Sequence, residues 1–360
     1  MSRFLVPELA ACQPYTPGEQ PRDRRYIKLN TNESPYPPSP AVCRALEQAG
    51  AESLRLYPDP ECRSLTEAAA AFYGLRPEQV MPGNGSDEVL FFALRAFCGR
   101  ERGLAFADVT YGCYAVWCGL LGLVPRIVPL RPDFTLEPED YFGLGQTRVI
   151  ANPNAPTGLA LTPAQVERIL QEDPDHVLIL DEAYVDFGAE SCVPLIHRYK
   201  NLLVVQTFSK SRQLAGARLG LALGDPELIA DLNRVKFSLN PYNINRLTLA
   251  AGCAALADRE YFDRTRRAII RTRTETAAAL RRRGFALTDS CTNFLFASPP
   301  GGRARELCSA LRDKGVLVRY FDAPRTARWM RITVGTPQEM EALLAAIDEI
   351  CAQEDGVCGK

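Results

Sequence analysis

Between about residues 40 and 250, short runs of consecutive apolar residues alternate with helix-like stretches. The clearest runs are VLIL at 177–180 and LLVV at 202–205. A strand with one solvent-exposed face alternates apolar and polar residues. An unbroken apolar run is therefore typical of a strand that is covered on both faces. The pattern therefore predicts an α/β fold in which helices sandwich a mostly parallel sheet.

The pattern changes after about residue 255. Residues 258–283 contain no Pro or Gly and predict a long amphipathic helix. TPQE at 336–339 predicts a helix start with an N-cap threonine, a proline at the first helical position and a glutamate three residues on. Strands are expected at 292–298, 316–321 and 329–334, and helices at 303–314 and 336–351. The predicted organisation is an extended, proline-rich N-terminal arm (1–35), a large domain (36–255) and a smaller α/β domain (256–360).

Composition narrows the classes of partner. The chain has 42 Lys and Arg against 43 Asp and Glu, a formal net charge of −1, so no overall basic field attracts nucleic acid or an anionic membrane. No apolar stretch has the length of a membrane span or forms a signal core, and we expect a cytoplasmic protein. The only histidines, His176 and His197, have no ligands at metal-site spacing, so no metal is expected.

Lys210 is the first candidate site residue. It follows the apolar run 202–205 closely, at the sheet edge where open α/β folds bind ligands. Thr207, Ser209 and Ser211 place hydroxyls around it. The structural alternative is a strand-end lysine that points to solvent.

Two more motifs suggest ligand chemistry. Asp181 ends the apolar run 177–180, where its carboxylate could pair with a cationic ring nitrogen; a turn residue is the alternative. GNGSDE at 83–88 opens an apolar helix, and free amides at a helix N-terminus bind phosphate. Ser86 or Asp87 could instead simply cap that helix. A lysine amine, an aspartate carboxylate and a phosphate-binding loop are the three groups that are needed to bind pyridoxal phosphate.

The order of these and further motifs along the chain resembles that of a known protein family. GNGSDE (83–88), NPNAPTG (152–158), DEAY (181–184), FSK (208–210) and AGARLG (215–220) resemble the fold-type I pyridoxal-phosphate-dependent aminotransferases, over about residues 28–350. A second set is similar to the histidinol-phosphate aminotransferase branch of that family: LNTNESP (29–35), LYPD (56–59), TYGCY (110–114), PYNIN (241–245) and MRITVGT (330–336).

The resemblance implies pyridoxal 5'-phosphate as cofactor and a role for each matching residue. Lys210 would bond to the cofactor and move a proton, Asp181 would hold the ring nitrogen, and Tyr184 would bind the ring 3′-oxygen. Ala155 stands where many relatives have the asparagine that contacts this oxygen, so Asn154 would replace it or Tyr184 would act alone. Tyr111 would stack on the ring, whereas we expect Tyr114 to be an ordinary core residue. The implied phosphate ligands are Gly85, Ser86, Asp87, Thr207, Ser209, Arg218 and, from a neighbouring subunit, Tyr57.

For the substrate, Arg319 and Arg331 lie in predicted small-domain strands, and an arginine fork suits either a phosphate or a carboxylate. The resemblance implies that they bind the substrate phosphate with Tyr15, Asn32 and the partner's Tyr242. The implied enzyme is a homodimer that exchanges the amino group between L-histidinol phosphate plus 2-oxoglutarate and imidazole-acetol phosphate plus L-glutamate in histidine biosynthesis. The alternatives are a threonine-phosphate decarboxylase of cobamide synthesis and an aromatic amino-acid aminotransferase.

Overall fold

The computed structural model describes residues 2–10, 12–99 and 101–353. Its strands are β1 (Ile27–Lys28), β2 (Val80–Gly83), β3 (Leu104–Ala107), β4 (Arg126–Val128), β5 (Thr147–Ala151), β6 (Leu178–Asp181), β7 (Leu202–Thr207), β8 (Gly220–Gly224), β9 (Ala286–Leu287), β10 (Phe294–Ser298), β11 (Val316–Leu317), β12 (Arg319–Tyr320) and β13 (Met330–Thr333). Its helices are α1 (Pro7–Ala10), α2 (Pro40–Ala49), α3 (Arg63–Tyr73), α4 (Ser86–Phe97), α5 (Cys113–Leu121), α6 (Pro163–Glu172), α7 (Pro226–Leu239), α8 (Arg246–Ala257), α9 (Arg259–Arg282), α10 (Ala304–Asp313) and α11 (Pro337–Gln353).

The large sheet has seven strands in the order β2-β8-β7-β6-β5-β3-β4. Only β8 runs against its neighbours, so the predicted mostly parallel sheet is confirmed. Along β7, Leu202 and Val204 pack into one apolar cluster, while Leu203 and Val205 pack into another. Successive side chains of a strand point to opposite faces, so each apolar run supplies both cores at once.

The edge formed by β7, β8 and β2 brings distant motifs together. Gly220 of β8 pairs with Gly83 on one side and with Thr207 on the other. A Cβ atom at Gly220 would lie 2.6 Å from the Gly85 carbonyl carbon, so a larger residue would push the 83–88 segment away. The glycine therefore allows the end of β7 and the loop before α4 to meet.

The C-terminal region forms a four-stranded antiparallel sheet, β12-β13-β10-β9. Helices α9, α10 and α11 cover it through Leu280, Leu307 and Leu343, which share one apolar cluster. The capping box is confirmed: Glu339 Oε2 accepts from the Thr336 amide at 2.7 Å, and Thr336 Oγ1 accepts from the Glu339 amide at 3.2 Å.

Two predictions from the sequence, one for the N-terminal arm and one for the strand at 316–321, are wrong in part. The arm is not extended throughout, because α1 begins at Pro7, and proline suits a first helical position. The single strand expected at 316–321 is split, since β11 pairs in parallel with β1 and only β12 joins β13. The domain boundaries at 35/36 and 255/256 stay predictions.

Candidate active site

A cavity of about 320 Å³ lies where the seven-stranded sheet, the N-terminal residues 15–33 and the four-stranded sheet meet. Many of the sequence-predicted site residues line it. They are Tyr15, Asn32, Ser86, Asp87, Tyr111, Asp181, Tyr184, Thr207, Ser209, Lys210, Arg218, Arg319 and Arg331. Gly85, Tyr57, Asn154 and Tyr242 are not among its lining residues.

Lys210 reaches the cavity from the loop that follows β7. Its Nζ donates to the Thr31 carbonyl at 3.4 Å and lies 5.7 Å from the centre of the Tyr184 ring. The hydrogen bond is long, so the amine is held in place only weakly. This arrangement leaves the Nζ available to a carbonyl compound in the cavity.

Asp181 ends β6 inside the protein, and its two oxygens have different partners. Oδ2 accepts from the Tyr114 hydroxyl at 2.7 Å, and Oδ1 accepts from the Ala183 amide at 3.1 Å. Burial raises the pKa of the carboxyl to about 6, although these hydrogen bonds favour the charged form. A buried carboxylate in this setting gains most from a cationic N–H donor.

Tyr114 is a core residue, as the sequence predicts, but it also has a polar contact that the sequence does not predict. The residue is fully buried, as a core residue is, but its hydroxyl binds the Asp181 carboxylate.

The segment from Gly83 to Asp87, here called the phosphate loop, leads into α4. Gly85 precedes the helix with φ 83°, and no side chain caps the helix start, so the capping alternative for Ser86 and Asp87 does not hold. The Asp87 carboxylate instead binds Arg218 Nη2 at 3.0 Å and the Tyr111 hydroxyl at 2.9 Å. Amides at the helix start together with a guanidinium form a site suited to a phosphate.

The hydroxyls at the end of β7 complete this site. Arg218 Nη1 donates to Ser209 Oγ at 3.4 Å. Thr207 Oγ1 accepts from the Ser209 amide at 3.1 Å, and both residues line the cavity. The loop, the β7 end and Arg218 thus surround one part of the cavity.

Tyr184 and Asn32 also line the cavity and contact each other. Asn32 Nδ2 donates to the Tyr184 hydroxyl at 2.9 Å, and Asn32 Oδ1 accepts from Thr333 Oγ1 at 3.0 Å. Because the tyrosine oxygen accepts this bond, its own proton is free to be donated to a ligand oxygen.

Asn154 has a different set of partners. Its Nδ2 donates to the Val109 carbonyl at 2.9 Å and to Thr157 Oγ1 at 3.0 Å, while its Oδ1 accepts from Thr110 Oγ1 at 2.7 Å. Both amide hydrogens of Asn154 are therefore used within the protein. The residue that contacts the Tyr184 hydroxyl is Asn32, and not Asn154.

Two arginines from the four-stranded sheet line the cavity side by side. Arg319 and Arg331 are direct partners across β12 and β13. Arg331 donates to the Asn30 carbonyl at 3.2 Å, and Arg319 donates to the Thr16 and Pro17 carbonyls at 3.0 and 3.2 Å. Burial lowers the pKa of Arg331, and the nearby Arg319 charge acts in the same direction. Two adjacent guanidiniums bonded to backbone carbonyls favour a bound anion.

Tyr57 and Tyr242 lie outside the cavity of their own chain. They are 76% and 42% exposed, and their rings stack with centroids 4.5 Å apart. Such an exposed aromatic pair is typical of a protein contact surface. Within the described residues no cluster of three or more possible metal ligands occurs, and none of the described helices is both long and apolar enough to span a membrane.

Comparison with known proteins gives full-length matches. The profile of the family described as aminotransferase class I and II matches residues 24–347. A histidinol-phosphate aminotransferase of Marinomonas sp. is 49% identical over 350 residues, which cover 96% of this chain and 99% of the relative. One from Clostridium acetobutylicum is 45% identical over 352 residues, covering 98% and 100%.

Solved structures show the same architecture. The histidinol-phosphate aminotransferase of Sinorhizobium meliloti, crystallised with pyridoxal-5'-phosphate, has a TM-score of 0.89 at 26% identity, covering 98% of this chain and 99% of that one. The L-threonine-O-3-phosphate decarboxylase of Porphyromonas gingivalis has a TM-score of 0.79 at 22% identity, covering 90% and 99%, and shares the fold.

Proposed function

Because this chain belongs to the class I and II aminotransferase family, we propose that it transfers the amino group of L-histidinol phosphate to 2-oxoglutarate, giving imidazole-acetol phosphate and L-glutamate in histidine biosynthesis. The family resemblance and the fold-type I architecture inferred from the sequence are confirmed. The substrate is supported by the names of relatives at 45–49% identity and by the paired arginines in the cavity.

Pyridoxal phosphate is the cofactor, and the residues of the cavity fit it. The uncapped start of α4 and Arg218 suit its phosphate, Asp181 suits its ring nitrogen, and the free proton of Tyr184 suits its ring oxygen. A Cβ atom at Gly85 would lie 2.5 Å from Arg218 Nη2, so this glycine keeps the arginine beside the loop. The fit includes both charged ends of the cofactor.

When bound, pyridoxal phosphate supplies a carbonyl carbon that takes up the amino group and a ring that withdraws electrons from the substrate Cα–H bond. Lys210 Nζ is placed to take the proton from Cα and to return it on the product side. Asp181 would keep the ring nitrogen of the bound cofactor protonated, and Tyr114 holds the Asp181 carboxylate in position. Tyr184 would orient the ring through its hydroxyl, which Asn32 fixes.

The observation that carries the choice of substrate is the Arg319–Arg331 pair. Two planar guanidiniums offer more donors than one carboxylate can use, whereas a phosphate has three accepting oxygens. Tyr15 lines the same part of the cavity, and its neighbours include both arginine charges. A small substrate anchored here by its phosphate has its amine end toward the rest of the cavity, where Lys210 lies.

We further propose that the working unit is a homodimer in which Tyr57 and Tyr242 of one subunit complete the site of the other. The support is their exposure together with their absence from the lining of their own cavity. A cytoplasmic location stays a prediction, supported by the charge of the phosphorylated substrate, which holds such metabolites inside a compartment.

The test of the function is a panel of single half-reactions with histidinol phosphate, histidinol, histidine, phenylalanine and phosphothreonine. We expect histidinol phosphate to have the highest kcat/KM. Arg331→Lys should remove most of the advantage in kcat/KM that histidinol phosphate has over histidinol, because a lysine cannot form a bidentate hydrogen bond to the phosphate. Carbon dioxide release from phosphothreonine would favour the decarboxylase alternative, and a higher kcat/KM for phenylalanine would favour the aromatic aminotransferase.

A further inference from the structure

We propose that Glu88 is a positioning residue that connects the phosphate loop of its own site to the tyrosine pair offered to the neighbouring site. The proposal rests on the homodimer proposed above. Glu88 lies in the first turn of α4, directly after the phosphate loop. Its Oε2 accepts from the Asn84 amide at 2.7 Å and from Asn243 Nδ2 at 2.5 Å.

The first of these bonds fixes the phosphate loop. Asn84 lies inside the loop and before the N-cap Gly85, and the Glu88 carboxylate accepts from its backbone amide, so Glu88 ties the loop to the first turn of α4. Hydrogen bonds to a charged acceptor are shorter and stronger than those between neutral groups. Loss of the carboxylate should therefore loosen the loop that faces the cofactor phosphate.

The second bond fixes the turn between α7 and α8. Asn243 is buried in this turn and follows Tyr242, the residue that stacks on Tyr57. A Tyr242 ring held in one place gives the Tyr57 ring a fixed surface to pack against. Glu88 therefore acts on Tyr57 through Asn243 and Tyr242.

The backbone on either side of Tyr57 is bound to the same two helices. Arg246, at the start of α8, donates from Nη2 to the Tyr57 carbonyl at 2.8 Å and from Nε to the Leu56 carbonyl at 3.2 Å. The buried Lys236 of α7 donates to the Pro60 carbonyl at 2.7 Å. Tyr57 thus moves with the α7–α8 turn, and Glu88 links that turn to the phosphate loop.

The consequence is that one carboxylate affects two sites. In its own site it holds the loop that binds the cofactor phosphate, and in the neighbour's site it positions, through Tyr242, the Tyr57 that approaches the cofactor phosphate there. Glu88→Ala removes the acceptor for both bonds. Glu88→Gln keeps a neutral acceptor oxygen at the same reach and should preserve most of the effect.

Dimers with one working site test this. A chain with Lys210→Ala is combined with a chain that has Lys210, and the heterodimer is purified with two different affinity tags. The affinity for pyridoxal phosphate at the Lys210 site is measured from the absorbance of the attached cofactor. We expect Glu88→Ala to raise the Kd about three- to tenfold, whether it is on the chain with Lys210 or on its partner. Glu88→Gln should raise it less than about twofold.

Glu227→Ala on the Lys210→Ala chain is the matched control, because Glu227 is an exposed first-turn glutamate of α7. It should leave the Kd unchanged. If Tyr57→Ala on the Lys210→Ala chain weakens binding and Glu88→Ala there does not, the role of Glu88 is wrong and the shared site stands. If neither acts across the interface, or if the chain is a monomer, the shared site is wrong as well.

Discussion

Single side chains at the ends of β6 and β7 do most of the chemistry proposed for this enzyme. Asp181 ends a strand whose side chains are all buried, and Lys210 follows another such strand by three residues, so both are anchored to the sheet. Preorganised groups of this kind contribute to catalysis without reorganising during the reaction. Their individual roles can be tested by substitutions that keep their shape.

Lys210 is expected to be the residue that bonds covalently to the cofactor, because its Nζ lines the cavity and has only a long hydrogen bond to Thr31. Borohydride reduction of the protein loaded with pyridoxal phosphate, followed by peptide mapping, should find the pyridoxyl group on Lys210. Lys210→Ala should abolish the label. A label that persists on another lysine in this variant would contradict the assignment.

Tyr114→Phe is expected to slow the half-reaction about tenfold, since a hydrogen bond to a charged group is removed. The hydroxyl of Tyr114 lowers the pKa of Asp181, so its loss should also move the acid limb of the pH–rate profile to higher pH. Tyr141→Phe is the control, because the buried Tyr141 hydroxyl has no hydrogen-bond partner among the described residues. An unchanged acid limb in Tyr114→Phe would show that Tyr114 only fills space.

At the scale of whole elements, the end of β6 affects stability as well as catalysis. Burial raises the pKa of the Glu182 carboxyl to about 7, although Ser191, the Cys192 amide and Gln206 all donate to it. The folded protein therefore keeps this proton at pH values where the unfolded chain has lost it. Stability should fall as pH rises from about 4.5 to about 7.

Glu182→Gln cannot lose a proton, so it should reduce this fall by on the order of 2 kcal/mol. Thermal unfolding of the cofactor-free protein, followed between about pH 5 and pH 8, measures the effect. Asp181 contributes a similar fall up to about pH 6, which the variant leaves in place. Glu227→Gln, on an exposed helix turn, should follow the wild-type pH dependence. An equal fall in Glu182→Gln would show that Glu182 titrates near its ordinary value.

Elements also differ in how well the sequence predicts them. The strands before Asp181 and Lys210 are predictable because unbroken apolar runs are local signals. The contact of Tyr114 with Asp181 is not, because α5 is apolar on nearly all sides and its sequence, CYAVWCGLL, does not indicate which face meets β6. The split of 316–321 depends on pairing with residues 27–28, and no local pattern encodes a partner so distant in the chain.

At the scale of the molecule, the proposed dimer predicts complementation between two inactive chains. A chain with Lys210→Ala and a chain with Tyr57→Ala should form heterodimers in which one site has both defects and the other has neither. Activity should rise toward half of the wild-type value per heterodimer. The control is the heterodimer of a Lys210→Ala, Tyr57→Ala double variant with wild-type chain, purified away from wild-type homodimer, because in a shared-site dimer its one site with Lys210 lacks Tyr57. No recovery in the first mixture, together with activity in the control heterodimer, would mean that each site is complete in one chain.

The pairing of β1 with β11 has a consequence for synthesis of the chain. Ile27 pairs with Val316, so 289 residues separate the partners. At about 5–20 residues per second, the ribosome needs roughly 15 to 60 s to add them. During that time the arm has no partner strand, and Arg319 and Arg331 do not yet exist to hold it. The substrate-anion site is therefore among the last parts of the molecule to form, and an incomplete chain lacks it even when the large sheet has folded.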